Sequence, residues 1–270
     1  MENYGKYDRP VRIAEGIFWV GFRDKNTNLF CNPYVIIEDE QAVLIDSGSR
    51  TDFAVVMMKI LQAGIDPGQI VALIYQHYDP DLCGSMPNFV DMCGNRDLKI
   101  FSEESNKLFI SHYIHRDKYH LLYSINDDNY KFTLKNRKIS FILTPYAHSQ
   151  GSFVTYDEKT KTLFTSDLFG SYSTQWDLFL ELEEECFTCN DYKDCPNRRT
   201  YCPFPDMIDF HKSVMPCEKS LRYAMTMIKE LDIAIIAPQH GSVLTKQRDI
   251  RFISEKLESL NGIGIDGIFQ

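Results

Sequence analysis

A short apolar run at residues 70–75 breaks directly into His77-Tyr78-Asp79-Pro80-Asp81-Leu82-Cys83-Gly84-Ser85, and this junction constrains the fold more than any other stretch of the chain. An apolar run of that length, bounded by turn residues, suits a strand buried on both faces. Loops at strand ends are where sites are built. Side chains alternate in extended backbone, so His77, Asp79 and Asp81 aim to one side. An imidazole and two carboxylates so close together suggest a metal, although a solvated turn uses the same residue types.

Three further ligand types stand at the ends of other predicted strands: His148 after residues 139–143, Asp167 after 162–165 and His240 after 233–237. A lone histidine at a strand end is commonly a structural hydrogen-bonder. Here that bland reading must hold independently at four strand ends, so a metal site built from His77, Asp79, Asp81, His148, Asp167 and His240 is the better expectation.

The pattern around these junctions is α/β. Strands are expected at residues 17–22, 34–37 and 42–45, the last two joined as a hairpin across Glu38-Asp39-Glu40. Residues 53–63 have helical apolar spacing that stops at Gly64, opening a β–α–β unit with the 70–75 strand. Beyond it come a strand at 99–101, a helix over about 103–113, strands at 131–134, 139–143, 153–156 and 162–165, a helical pattern over 206–230 and a last strand at 233–237. Two sheets flanked by helices imply an αβ/βα sandwich. No linker, charge block or repeat divides the 270 residues, so one domain over 1–270 is expected, with a Cys-rich insertion at about 183–217.

These residues resemble the metallo-β-lactamase fold, and within it the flavodiiron and oxygen-binding di-iron branch. The resemblance runs through His77-x-Asp79-x-Asp81, His148, Ser166-Asp167-Leu168-Phe169-Gly170 and Ala237-Pro238-Gln239-His240-Gly241. It extends to Gly16-Ile17-Phe18-Trp19-Val20-Gly21, Leu44-Ile45-Asp46-Ser47-Gly48 and Gly84-Ser85-Met86-Pro87. It implies that His77, Asp79 and His148 bind a first metal, that Asp81 and His240 bind a second, and that Asp167 bridges them. The branch usually has a histidine where this chain has Leu82. The second site therefore runs with one ligand fewer, borrows one, or binds more weakly. Tyr78, His112, His115, His120 and His211 are residues it could borrow, each with an ordinary reading as a helix-face or loop residue.

The resemblance also implies that hydrolases of this fold place a second histidine where Asp79 stands. A carboxylate there suits iron better than zinc. The expectation is thus two iron ions in an Fe–O–Fe type site that takes dioxygen or nitric oxide, either as an oxygen sensor or binder or as a reductase. The branch's flavodoxin-like domain follows the metal domain, and the 30 residues after His240 are too few for it. No FMN domain is expected, so reduction would need a separate electron donor, and sensing a signalling partner. A homodimer is implied by the resemblance. The alternatives are a metal-dependent hydrolase of the same superfamily, using a metal-bound hydroxide, and a scaffold binding one metal or none.

Of eight cysteines, Cys186, Cys189, Cys195 and Cys202 cluster in a polar stretch with little apolar content. A structural zinc or an iron–sulfur cluster would order it; free thiols are the alternative. Cys217 could replace one of the four, while Cys31, Cys83 and Cys93 are scattered. His112 and His115 share a helix face but suit the surface, and the methionines at 207, 215, 225 and 227 suit a core. The net charge of −9 gives no electrostatic reason for nucleic-acid binding. Apolar runs too short to span a bilayer and an N-terminus without a signal-like core point to a cytoplasmic protein that uses no membrane.

Overall fold

The computed structural model describes residues 7–23, 29–173, 175–189 and 202–268. Among these residues, β1 (Val11–Ala14), β2 (Ile17–Trp19), β3 (Tyr34–Glu38), β4 (Gln41–Ile45), β5 (Ile70–Ile74), β6 (Lys99–Ser102) and β7 (Leu122–Ser124) form one sheet in that order. Its β1–β4 portion is antiparallel and its β4–β7 portion parallel. Asp39 and Glu40, both with positive φ, make the two-residue turn that closes Glu38 on Gln41, the geometry a right-twisted hairpin favours.

The second sheet holds β8 (Lys131–Leu134), β9 (Arg137–Leu143), β10 (Phe153–Asp157), β11 (Thr162–Phe164), β12 (Phe179–Leu180), β13 (Ile235–Ala237) and β14 (Val243–Leu244), in the order β12-β14-β13-β11-β10-β9-β8. Each sheet covers one face with helices. On the first lie α1 (Phe53–Gln62), α2 (Pro80–Cys83), α3 (Met86–Cys93) and α4 (Glu104–Ile110); on the second α5 (Pro203–Val214), α6 (Glu218–Lys229) and α7 (Gln247–Glu258).

The continuous apolar character of β5 has its reason in this layering. Ile70 and Leu73 pack toward α1 and α3, whereas Ala72 and Ile74 face the other sheet. Ile36, Val43, Ile74 and Phe101 of the first sheet meet Phe141, Phe153, Phe164 and Ala237 of the second in one apolar layer. Each of the Val, Ile and Phe side chains among them, fully removed from water, contributes roughly 1.5–3 kcal/mol. The molecule is the αβ/βα sandwich expected from the sequence.

Some elements differ from expectation. β2 stops at Trp19: the Val20 amide still donates in register to Pro33 O, but Pro33 has no N–H to return the bond, and the ladder ends there. The helical pattern over 206–230 is two helices, parted at Met215-Pro216-Cys217 where proline cannot donate to the helix ladder. The expectations also pass over β1, β7, β12, β14, α2, α3 and α7; the extended backbone expected through His77, Asp79 and Asp81 turns into α2 at Pro80, so these side chains do not converge by strand alternation.

The layers matter because they bring four strand ends together. Thr165 N donates to Ala237 O and Gln239 N to Ser166 O, joining the ends of β11 and β13. Phe153 N donates to Gln76 O and the Tyr34 hydroxyl to Pro238 O, tying the two sheets across the same edge.

Candidate metal centre

His77 leaves the end of β5 with its side chain almost wholly buried, at 1% exposure. The residue before it is fixed by Asp46: Gln76 donates to that carboxylate from its backbone amide, at 3.3 Å, and from its side-chain amide, at 3.2 Å. His77 Nδ1 lies 2.8 Å from Ser166 Oγ, on the second sheet, which turns Nε2 inward. Asp79 caps α2 and Asp81 lies in its first turn, so Pro80 at the first helical position sets the angle between the two carboxylates.

The inward nitrogens and carboxylates converge. His77 Nε2 is 3.8 Å and His148 Nε2 3.4 Å from Asp79 Oδ2. His148 Nε2 is 2.8 Å from Asp167 Oδ2, whereas His240 Nε2 is 3.6 Å from the other oxygen, Asp167 Oδ1, and 3.1 Å from Asp81 Oδ2. His77, His148 and Asp167 make one group able to hold an ion, Cys31, Asp81 and His240 another, and His77, Asp79 and Asp81 link them; within each group the ligand atoms lie within 4.8 Å of one another.

A cation fits this donor set. Asp167 is 3% exposed, yet its Oδ1 has no hydrogen-bond partner. A buried carboxylate oxygen left without a donor is costly unless a positive charge meets it. The electrostatics of the donor set follow from the same crowding of charge and burial. Burial resists charge on His148, but hydrogen bonds to Asp167 and Asp79 raise it to about 10. Burial likewise resists charge on His240, which Asp81 and Asp167 raise to about 9. His77 is lowered, chiefly by burial. Burial would raise Asp167 and Asp81, yet the surrounding imidazoles hold both below the usual carboxylate range.

All six expected ligands, His77, Asp79, Asp81, His148, Asp167 and His240, therefore meet at one place. Leu82 points the other way, wholly buried in the layer between the first sheet and its helices. None of the histidines considered as a substitute belongs to the ligand groups found among the described residues. His211 has both nitrogens engaged, Nδ1 with Met207 O at 2.7 Å and Nε2 with the Phe169 amide at 3.1 Å, and burial lowers it to about 4. His115 and His120 are exposed and turned to Asp117; Tyr78 stacks on Phe109.

The residue that the sequence reading missed is Cys31, whose Sγ lies 3.9 Å from Asp81 Oδ2. No motif surrounds it, and its neighbours Asp81 and His240 are distant in sequence. Burial and then Asp81 push its thiol well above the ordinary range. In the Cys-rich stretch, Cys186 lies within a 3₁₀ turn that Cys189 closes and Cys202 caps α5, while Cys195 lies outside the described residues.

Fold and site together define a metallo-β-lactamase-type sandwich with adjoining metal-ligand groups at its open edge. Residues 29–241 match the family described as ODP family beta lactamase, and the chain belongs to it. It is 25% identical over 272 residues to a type A flavoprotein of Rhodobacter capsulatus, covering 94% of this chain and 58% of that one. It is 24% identical over 263 residues to a nitric oxide reductase of Moorella thermoacetica, covering 88% and 58%. The chain thus spans less than two thirds of the length of these curated relatives. Among solved structures it is similar to a peroxy di-iron species of the chemotaxis sensor ODP, with a TM-score of 0.76, 21% identity and coverage of 97% of this chain and 98% of that one.

Proposed function

We propose that this chain is a non-haem di-iron protein that binds dioxygen or nitric oxide, serving as an oxygen sensor or as a reductase fed by a separate electron donor. One observation carries the reading: Asp167 turns Oδ2 to His148 and Oδ1 to His240, with Oδ1 buried and otherwise unpartnered. A carboxylate placed so would serve two cations at once. His77, Asp79 and His148 would hold the first ion, and Asp81 and His240 the second. The printed descriptions of the similar proteins, a di-iron chemotaxis sensor and a nitric oxide reductase, support the same chemistry.

When bound, a pair of iron ions supplies electrons and open coordination positions to a diatomic ligand. The chain's part is to orient and exclude. Ser166 Oγ, 2.8 Å from Nδ1, orients the His77 ring, and the Phe30 carbonyl, an acceptor 2.8 Å from Nδ1, fixes the tautomer of His240. The carboxylates of Asp79, Asp81 and Asp167 make the donor set oxygen-rich, which favours iron over zinc. Leu82, buried in apolar packing, leaves a ligand position near Asp81 for something else to fill.

The wider reading is one domain over 1–270 with an inserted Cys-rich segment at about 183–217, supported by the apolar layer shared between the sheets. Cys186, Cys189, Cys195 and Cys202 hold a structural zinc or an iron–sulfur cluster in that reading, and the chain pairs as a homodimer. Among the described residues no helix is long and apolar enough to cross a membrane. Cytoplasmic placement is supported by Cys31, Cys83, Cys93, Cys186 and Cys217 being thiols.

Metal analysis of protein produced without added metal tests the proposal, followed by the spectrum of the anaerobic ferrous form on exposure to dioxygen. Two irons per chain in the His–carboxylate site and an oxygen-dependent spectrum are expected. Zinc in that site with no response to oxygen overturns the proposal in favour of a hydrolase.

A further inference from the structure

We propose that Cys31 is a ligand of the second metal, its thiolate occupying the coordination position that Leu82 leaves open. The assignment rests on the two-metal reading above, and the geometry at Cys31 carries it further. Cys31 Sγ, Asp81 and His240 form a group whose ligand atoms all lie within 4.8 Å of one another. Ligands of one ion, at bond lengths of about 2.3 Å for sulfur and about 2.1 Å for nitrogen or oxygen, stand roughly 3–4.4 Å apart. The 3.9 Å from Sγ to Asp81 Oδ2 falls in that range.

The backbone holds the thiol there from both sides. Before it, the Phe30 carbonyl receives His240 Nδ1 at 2.8 Å. After it, Asn32 N donates to Gln239 O at 2.7 Å, and the Asn32 side-chain amide donates to Pro238 O at 3.1 Å and Gly241 O at 2.8 Å. Asn32 is itself fixed by the Trp19 indole, at 2.8 Å. The segment carrying Cys31 is thus held by four hydrogen bonds to the loop carrying His240. Above it, Gly21 has no side chain because a Cβ would lie 2.5 Å from Cys31 O.

A second observation points to a cation independently of the cysteine. Asp167 Oδ1, buried and without a hydrogen bond, lies on the His240 side of the carboxylate. Asp81, Asp167 and His240 alone leave the second ion one protein ligand poorer than the first. Cys31 completes that set. On ligation the thiol gives up its proton to solvent and the Sγ–metal bond forms, with no change of oxidation state. A polarizable thiolate on one ion and a nitrogen and carboxylate set on the other make the two ions inequivalent.

Cobalt(II) alone, titrated into metal-free protein, tests the assignment without reference to activity or to the native metal. Wild type is compared with Cys31→Ser, Cys31→Ala and Cys31→His. The thiols of the Cys-rich stretch are common to all four proteins, so difference spectra isolate Cys31. The expected result is a thiolate-to-cobalt charge-transfer band lost in all three variants. The weaker cobalt site should lose at least the ~10–100-fold that removal of a ligand's supporting partner costs. Cys31→His should recover that affinity without the band. Cys31→Ser, nearly isosteric, keeps the test available if the alanine variant folds poorly. Superimposable spectra and equal affinities in wild type and Cys31→Ser overturn the assignment. Absence of native iron overturns the di-iron reading instead, and the cobalt difference still decides Cys31.

Discussion

The carbonyl oxygen of Phe30 lies 2.8 Å from Nδ1 of His240, and this contact leaves only Nε2 of that imidazole free to face Asp81 and Asp167. Ser166 does the same for His77 through its hydroxyl. Each of these histidines is thus oriented by a residue far from it in sequence, which sets the nitrogen it turns to the site.

Ser166→Ala removes one of these supports while leaving every ligand in place. The His77 ring keeps its burial but loses its fixed orientation. Metal affinity at the first site is expected to fall about 10–100-fold, read by competition with a chelator, with no loss of secondary structure by circular dichroism. An unchanged first-site affinity would mean that packing alone orients His77.

Loading the site should release protons in a pH-dependent way. His148 and His240, raised to about 10 and about 9 in the unloaded site, are charged at pH 7 and must each give up a proton to bind a metal. His77, lowered by burial, is already neutral and gives none. Release of ~2 imidazole protons is expected at pH 7, falling as pH rises through 9 and 10; a thiol proton from Cys31 adds to it if that residue ligates. Titration in weakly buffered solution with a pH indicator measures it. Release that stays constant from pH 6 to pH 10 would rule out charged imidazoles in the unloaded protein.

Gly21→Ala pushes on the backbone that carries Cys31. The added Cβ would lie 2.5 Å from Cys31 O and 2.9 Å from the Trp19 indole nitrogen, so residues 29–33 must shift. A stability loss of about 1–3 kcal/mol is expected from overpacking, read by urea denaturation. Metal affinity should fall more at the second site than at the first, because only the second shares the Phe30 and Asn32 contacts. Equal loss at both sites would indicate a global rather than local effect.

Much of the centre was legible because His77, His148, Asp167 and His240 each follow the end of a strand, whereas Asp79 and Asp81 belong to the start of α2. The apolar run of β5 followed by His77, and the short runs before Asp167 and His240, state both the element and the residue that leaves it. What was not legible depends on contacts between distant segments. Cys31 sits in no motif, and its place beside His240 follows from Asn32 bonding to residues 238–241. Asp46 was visible in an Asp-Ser-Gly turn, but its hold on Gln76 depends on β4 and β5 pairing in parallel. The break between α5 and α6 was written in Pro216, and Ile250, Ile253 and Leu257 carry the spacing of α7; both signals lay outside the pattern of strands ending in ligands.

The buried pair of Arg137 and Asp157 gives a test of the fold apart from the metal. The guanidinium is wholly buried, with Nε and Nη2 at 2.6 Å and 2.8 Å from the Asp157 carboxylate, Nη1 at 3.4 Å from Glu38 and Nη2 at 3.1 Å from Glu15 O. It thereby fastens β9 and β10 to the first hairpin sheet. Arg137→Ala strands a buried carboxylate and is expected to cost about 3–5 kcal/mol, whereas Arg137→Met combined with Asp157→Leu should recover most of that loss. The pH dependence follows from the direction of the Asp157 shift. Burial would raise this carboxyl, but hydrogen bonds from Arg137 and Thr160 hold it below its ordinary 3.8. A depressed folded-state value contributes stability that is fully present above the unfolded value and lost as pH falls through the folded one. The difference between wild type and Arg137→Ala should be complete at pH 7 and shrink below about pH 4, where even the unfolded carboxyl becomes protonated. Urea denaturation at a series of pH values measures it, and a difference that persists undiminished to pH 2 would show that Arg137 acts through packing rather than charge.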